Sequence, residues 1–120
     1  MTQEDKQLLL KDLCSRLPYK VICDMWFEGN ESDKITEVLK CGGLMRLMNS
    51  EFNFIAKPYL CPLSSMTEEE EKEYENCFQS DDTTAATLLI DFYNKHHFDY
   101  RGLIEKGLAL EAPKDMYKTE

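Results

Sequence analysis

No apolar run in this 120-residue chain exceeds three residues, which excludes a membrane-spanning helix, since that takes about 20 apolar residues in a row. CxxC pairs are missing too. The five cysteines (Cys14, Cys23, Cys41, Cys61, Cys77) are odd in number and scattered. Such a set reads as reduced thiols acting as small hydrophobes, with no disulfide framework and no zinc cage. Basic charge is scarce, with 14 Lys and Arg against 23 Asp and Glu, or −9 at pH 7. Affinity for a phosphate backbone comes from cations that displace counterions, so direct nucleic-acid binding is disfavoured. GxSxG, Walker, GxGxxG and HExxH patterns are all absent. The opening Met1-Thr2-Gln3-Glu4-Asp5 is acidic where a secretory leader is basic, so the expected compartment is the cytoplasm.

What is present suffices for one domain spanning 1–120. Hydrophobic residues make up 42% and charged residues 31%, too apolar a mixture for a disordered chain. Acidity is concentrated: from Thr67 to Asp82 eight carboxylates meet one base, Lys72, leaving −7 there and −2 on the other 104 residues.

The first periodic segment follows Thr2, which with Asp5 resembles a capping box. Leu9, Leu13 and Leu17, with Leu10 and Cys14, form one stripe of a helix that Pro18 ends near Arg16. On this reading Lys6, Lys11, Asp12 and Ser15 face water. From Tyr19 to Leu63, short β-prone runs alternate with Gly- and Asn-containing turns (28–33, Cys41-Gly42-Gly43, Asn49-Ser50), the pattern of an antiparallel meander. Strands are expected near 19–27, 34–40, 44–48 and 52–57, the last ended by Pro58 and Pro62. Leu39, Leu44, Met45 and Met48 also fit a broken helix. Thr67 with Glu70 predicts a capped helix over 68–78, faced by Tyr74, Cys77 and Phe78. Ser64-Ser65 reads as cap chemistry as well. Ala85, Leu88, Leu89, Phe92 and His96 predict a second helix over 84–96. The class is α+β: an N-terminal helix, a small antiparallel sheet and two C-terminal helices packed on it. A half-open SH3-like barrel is one form the β part can take.

Two stretches carry a family likeness. One is Lys57-Pro58-Tyr59-Leu60-Cys61-Pro62-Leu63-Ser64-Ser65-Met66-Thr67-Glu68-Glu69-Glu70; the other is Phe98-Asp99-Tyr100-Arg101-Gly102-Leu103-Ile104, continuing to Gly107-Leu108-Ala109 and Glu111-Ala112-Pro113. With the N-terminal leucine helix, together about half the chain, they resemble a family of small uncharacterised proteins from gut anaerobic bacteria and their phages or mobile elements. The resemblance implies that setting and no activity. A basic residue commonly stands in that family where this chain has Cys61, which argues against Cys61 as a site.

Candidate sites were weighed against plainer roles. His96 and His97 are adjacent, and neighbouring residues point about 100° apart on a helix, so one ion cannot draw on both. His96 extends the Leu89-Phe92 stripe, and His97 is expected to face solvent. No metal or cofactor is expected. Trp26, Tyr59, Tyr100 and Arg101 are the candidate protein-binding groove, residue types enriched at hot spots. Their plainer role is packing, with Arg101 bridging to a carboxylate or to helix-end carbonyls. Glu69, Glu71, Glu73 and Glu75 form a candidate acidic face. The leading expectation is a non-enzymatic phage or mobile-element accessory protein that binds an unidentified protein. The alternatives are a nucleic-acid mimic acting through 67–82 on a basic protein, and a small enzyme using His97, Asp99 or a cysteine.

Overall fold

Thr2 opens the first helix by accepting from the Asp5 amide at 3.0 Å, and α1 runs Gln3–Arg16 in the computed structural model, which describes residues 2–49, 53–79 and 81–117. A 3-10 turn, Leu17–Tyr19, follows, and Lys20 in the left-handed region (φ 59°) steers the chain into the sheet. Leu9 and Leu13 are buried, and so are Asp12 and Arg16, each 0% exposed. Asp12 therefore does not face water. Positions 9, 12, 13 and 16 lie on one side of a helix, and that side is the one turned inward.

Strand β1 (Ile22–Phe27) pairs antiparallel with β2 (Ile35–Val38) on one side and with β3 (Phe54–Leu60) on the other. A two-residue strand, β4 (Leu110–Glu111), joins β3 in parallel, so the order is β2-β1-β3-β4 and the sheet is open. The expected strand near 44–48 is instead helix α2, Cys41–Met48, the alternative its apolar spacing allowed. Gly42 and Gly43 lie inside that helix and not in a turn. Gly43 is there for close approach, since a Cβ would sit 3.1 Å from Leu39 Cδ1 and 3.5 Å from Met25 Sδ. Pro58 does not end β3; it pairs with Cys23 in mid-strand. The Leu60 carbonyl accepts from Ala112 on the β4 side. By two-residue alternation Pro58 turns its ring nitrogen to that same side, so the β1 ladder never needs its missing N–H. Ser50 and Phe52, expected in the turn before this strand and at its start, lie outside the described residues.

Helix α3 (Glu68–Asn76) begins with the full capping box. The Glu70 amide donates to Thr67 Oγ1, the Thr67 amide donates to Glu70 Oε1, and a 3-10 turn, Cys77–Gln79, completes the segment. Ser64 and Ser65 are not caps: they lie in the turn before it, where Ser65 Oγ donates to the Pro62 carbonyl. Asp81 caps α4 (Asp82–Lys95) through the Thr84 amide.

Two apolar clusters result. The larger joins α1 and α2 to one sheet face through Leu9, Leu13, Val21, Cys23, Met25, Leu39, Leu47, Ala56 and Leu60, sealed by Leu103 and Leu108. Each fully buried leucine contributes about 1.5–3 kcal/mol relative to exposure. The smaller, Cys77, Phe92 and Phe98 with Tyr74, Leu89 and Tyr93, holds α3 to α4. Phe98 ties it to the sheet by bridging to Cys61 just after β3. Among the described residues no helix is long and apolar enough to cross a membrane.

Candidate functional site

The sheet is only partly roofed. Cys23, Met25 and Phe27 alternate onto the face that α1 and α2 cover, and Ile35 stands opposite Met25 on that face. Helix α2 sends Leu44 and Leu47 inward. A groove of about 380 Å³ is left, lined by Met25, Trp26, Phe27, Ile35, Gly42, Gly43 and Phe54, with Glu37, Lys40 and Arg46 at its rim. Phe27 meets Phe54 edge to face at 5.1 Å. Of its lining, Phe27 is 39% exposed and Ile35 48%, while Met45 at 68% and Met48 at 59% are exposed on α2 outside the lining.

Trp26, Tyr59 and Tyr100, expected to line one groove, do not come together. Trp26 borders this one, but strand alternation turns its ring to the opposite sheet face from Met25 and Phe27, with Lys34 Nζ 4.3 Å from the ring centre. Its Nε1 is buried and has no hydrogen-bond partner among the described residues. Tyr59 shares a sheet face with Trp26 but stands level with Ile22, four residues along from Trp26's partner Ile55, a separation of about 13 Å. Its hydroxyl donates to Asp24 at 2.8 Å, and Thr36 donates to the other Asp24 oxygen. Burial and the Asp24 carboxylate push the Tyr59 phenol above its usual range. Tyr100 and Arg101 belong elsewhere. Tyr100 stacks on Tyr93 at 5.0 Å and accepts from Arg101, whose Nε donates to Asp12 Oδ1 at 3.1 Å. Asp12 also accepts from Arg16 Nε at 2.8 Å, and Arg16 reaches the Phe98 carbonyl at 2.6 Å. Arg101 thus bridges to a carboxylate, the packing role set beside its binding one.

His97 is buried, not solvated as expected, with φ 61° and its ring stacked on Tyr117 at 3.6 Å. Burial, with the Arg16 and His96 charges, pulls its pKa down to about 4. Tyr117 fills the gap where β1 and β3 part: its hydroxyl accepts from the Ile22 amide and donates to the Tyr59 carbonyl at 2.7 Å. Asp99 spends both oxygens on the Leu103 and Ile104 amides. His97 and Asp99 are therefore not brought together. Cys23, Cys61 and Cys77 are not activated either. Burial pushes Cys23 up to about 12 and raises Cys61 and Cys77, the reverse of what a thiolate nucleophile requires. Cys14 and Cys41 are exposed, so only part of the cysteine set serves as buried hydrophobe.

On α3 the acidic residues divide. Glu73 turns to α4, where it meets His96 Nε2 and Lys95, while Glu70 reaches His96 Nδ1 at 3.3 Å. Burial raises the Glu73 pKa, but the His96 hydrogen bond and the His96 and Lys95 charges outweigh it and leave it lowered. Glu69, Glu71 and Glu75 stay exposed. Among the described residues no group of three or more His, Cys, Asp or Glu could hold a metal ion. Comparison with protein-family models, curated proteins and solved structures finds no match to this chain.

Sequence reasoning passed over Asp12 and Arg16, and it passed over Ile35, Lys40 and Arg46 at the groove. A signal existed for the first pair: charges of opposite sign at i, i+4 inside the apolar stripe. None existed for the second group, whose members gather only once α2 is a helix.

Proposed function

We propose that this chain is a non-enzymatic accessory protein, of the phage or mobile-element kind its sequence resembles, that acts in the cytoplasm by binding another protein. The observation that carries the reading is the open groove between β2 and α2, lined by the exposed Phe27 and Ile35, with Met45 and Met48 exposed on α2 outside its lining. Exposed apolar side chains lining a concave surface mark protein-binding sites. Five free cysteines suit a reducing compartment. His97 stacked and buried, Asp99 bound to backbone amides, and Cys23, Cys61 and Cys77 raised by burial support a role without catalysis.

A second reading has its own observation, the exposed Glu69, Glu71 and Glu75 in a segment of net −7. Carboxylates on a helix can imitate nucleic acid toward a basic protein. The geometry supports it less. At 100° per residue Glu71 and Glu75 share a side of α3, while Glu69 lies far around it and Glu73 is engaged with α4.

Comparative capture separates the two. Wild-type chain, an Ile35→Glu/Met45→Glu variant and a Glu69→Gln/Glu71→Gln/Glu75→Gln variant, matched by circular dichroism, serve as baits in an extract of a gut anaerobic bacterium. The expected result is a protein recovered in stoichiometric amount by wild type and the Gln variant and lost with the first. Recovery lost only with the Gln variant establishes the mimic instead. Equal recovery on all three baits sinks both.

A further inference from the structure

Resting on that reading of the groove, we propose that its occupant is an extended segment of a partner protein, apolar residues flanking a carboxylate, added as a further strand to the open edge of β2. The phase of the β1–β2 ladder is set by Leu39, whose amide donates to the Val21 carbonyl at 2.8 Å. Backbone groups alternate sides along a strand, so Ile35 and Glu37 turn theirs to β1 while Thr36 and Val38 direct theirs out of the sheet. β2 is the edge of the sheet among the described residues, and no strand pairs with it on that side. Such an edge is a template for strand addition, with main-chain hydrogen bonds supplying affinity and alternate side-chain pockets supplying selectivity.

The groove lies where those alternate side chains go. Side chains of an added strand level with Ile35 project on the same face as Ile35, toward α2. Gly42 keeps that space open, since nothing lies within 4 Å of where its Cβ would stand. Apolar residues seated there cover Ile35 and Phe27, the exposed large hydrophobics of the groove lining. Charge selects the rest of the segment. Lys40 and Arg46 are exposed at the rim, and among the described residues neither has an ion-pair partner. Glu37 at the same rim offsets one of them and leaves a small positive excess in a chain of net −9, which a carboxylate between apolar residues complements. A second copy complements it poorly: pairing β2 with itself brings two Glu37 side chains close, and like charges across strands destabilise.

The test uses a display library of random octapeptides selected on the intact chain, followed by titration of the enriched peptides in synthetic form. Enriched sequences are expected to alternate apolar residues and to carry Asp or Glu. Gly42→Leu, which fills the groove from a position with free space, should weaken their binding at least tenfold. Arg46→Glu, a surface change that leaves packing untouched, should do the same. In the complex the Thr36 and Val38 amides should slow in hydrogen exchange at least tenfold. Loss of binding with Gly42→Leu but no protection at Thr36 and Val38 overturns strand addition alone and leaves the groove as the binding surface. Peptides that bind Gly42→Leu as well as wild type overturn the groove itself. Failure to enrich any peptide, or a concentration-dependent dimer that Gly42→Leu abolishes, overturns the proposal in favour of another occupant.

Discussion

At the scale of single residues, the costliest commitment is Asp12. Its carboxylate, fully removed from water, holds Arg16 and Arg101 at once, and Arg16 in turn fastens the chain at Phe98. Removing one member of a buried ion pair leaves the other charge uncompensated, at about 3–5 kcal/mol, whereas replacing both by apolar groups costs much less. Asp12→Asn should therefore lose about 3–5 kcal/mol in urea denaturation, and Asp12→Leu/Arg16→Met should recover part of that loss. A double variant as unstable as the single one would show that Arg16 matters for its reach to Phe98 rather than for its pairing. Residues chosen in the sequence for binding, Tyr59, Tyr100 and Arg101, prove to spend their polar atoms inside the molecule. Their residue type was informative about contact and silent about with whom.

At the scale of elements, α2 decides where the surface opens. An eight-residue helix in place of a strand withdraws Leu44 and Leu47 into the core and leaves Met45, Arg46 and Met48 outside. Its two glycines have opposite duties. Gly42 faces free space, so Gly42→Ala should gain up to about 1 kcal/mol from helix propensity. At Gly43 the new methyl meets Leu39, which is itself buried, so Gly43→Ala should be about 1 kcal/mol less stable than Gly42→Ala in the same urea titration. Equal stabilities would mean that Leu39 yields freely and that the close approach is incidental. The capping box of α3 and the Thr2 cap of α1 were legible beforehand, because caps are local: three residues supply donor and acceptor alike. The 44–48 stretch was not, since Leu44, Met45, Leu47 and Met48, interrupted only by Arg46 and preceded by Gly42-Gly43, satisfy both periods until a core chooses between them.

At the scale of the whole molecule, stability should fall in mild acid through His97. Its folded pKa of about 4 lies below the ordinary 6.5, so the folded ring resists a proton that the unfolded chain accepts. The contribution is complete above pH 6.5 and is lost as pH falls from there toward 4, about 2 kcal/mol in all once residual solvent screening is allowed for. His97→Asn, which tolerates the left-handed backbone there, should flatten the slope of unfolding free energy between pH 6.5 and 4. An unchanged slope would show that His97 is not the source of the acid sensitivity. The chain by itself determined the α+β class, the bounds of α1 and α4 to within about two residues, and the capped helix that carries most of the −7 segment, because periodicity, caps and charge are read from neighbours. Tertiary structure alone decided that Asp12 and His97 are inside, that Pro58 sits in mid-strand, and that a groove opens beside β2. Each of those depends on which face of an element another element covers, and residues far apart in sequence settle that together by sharing one core.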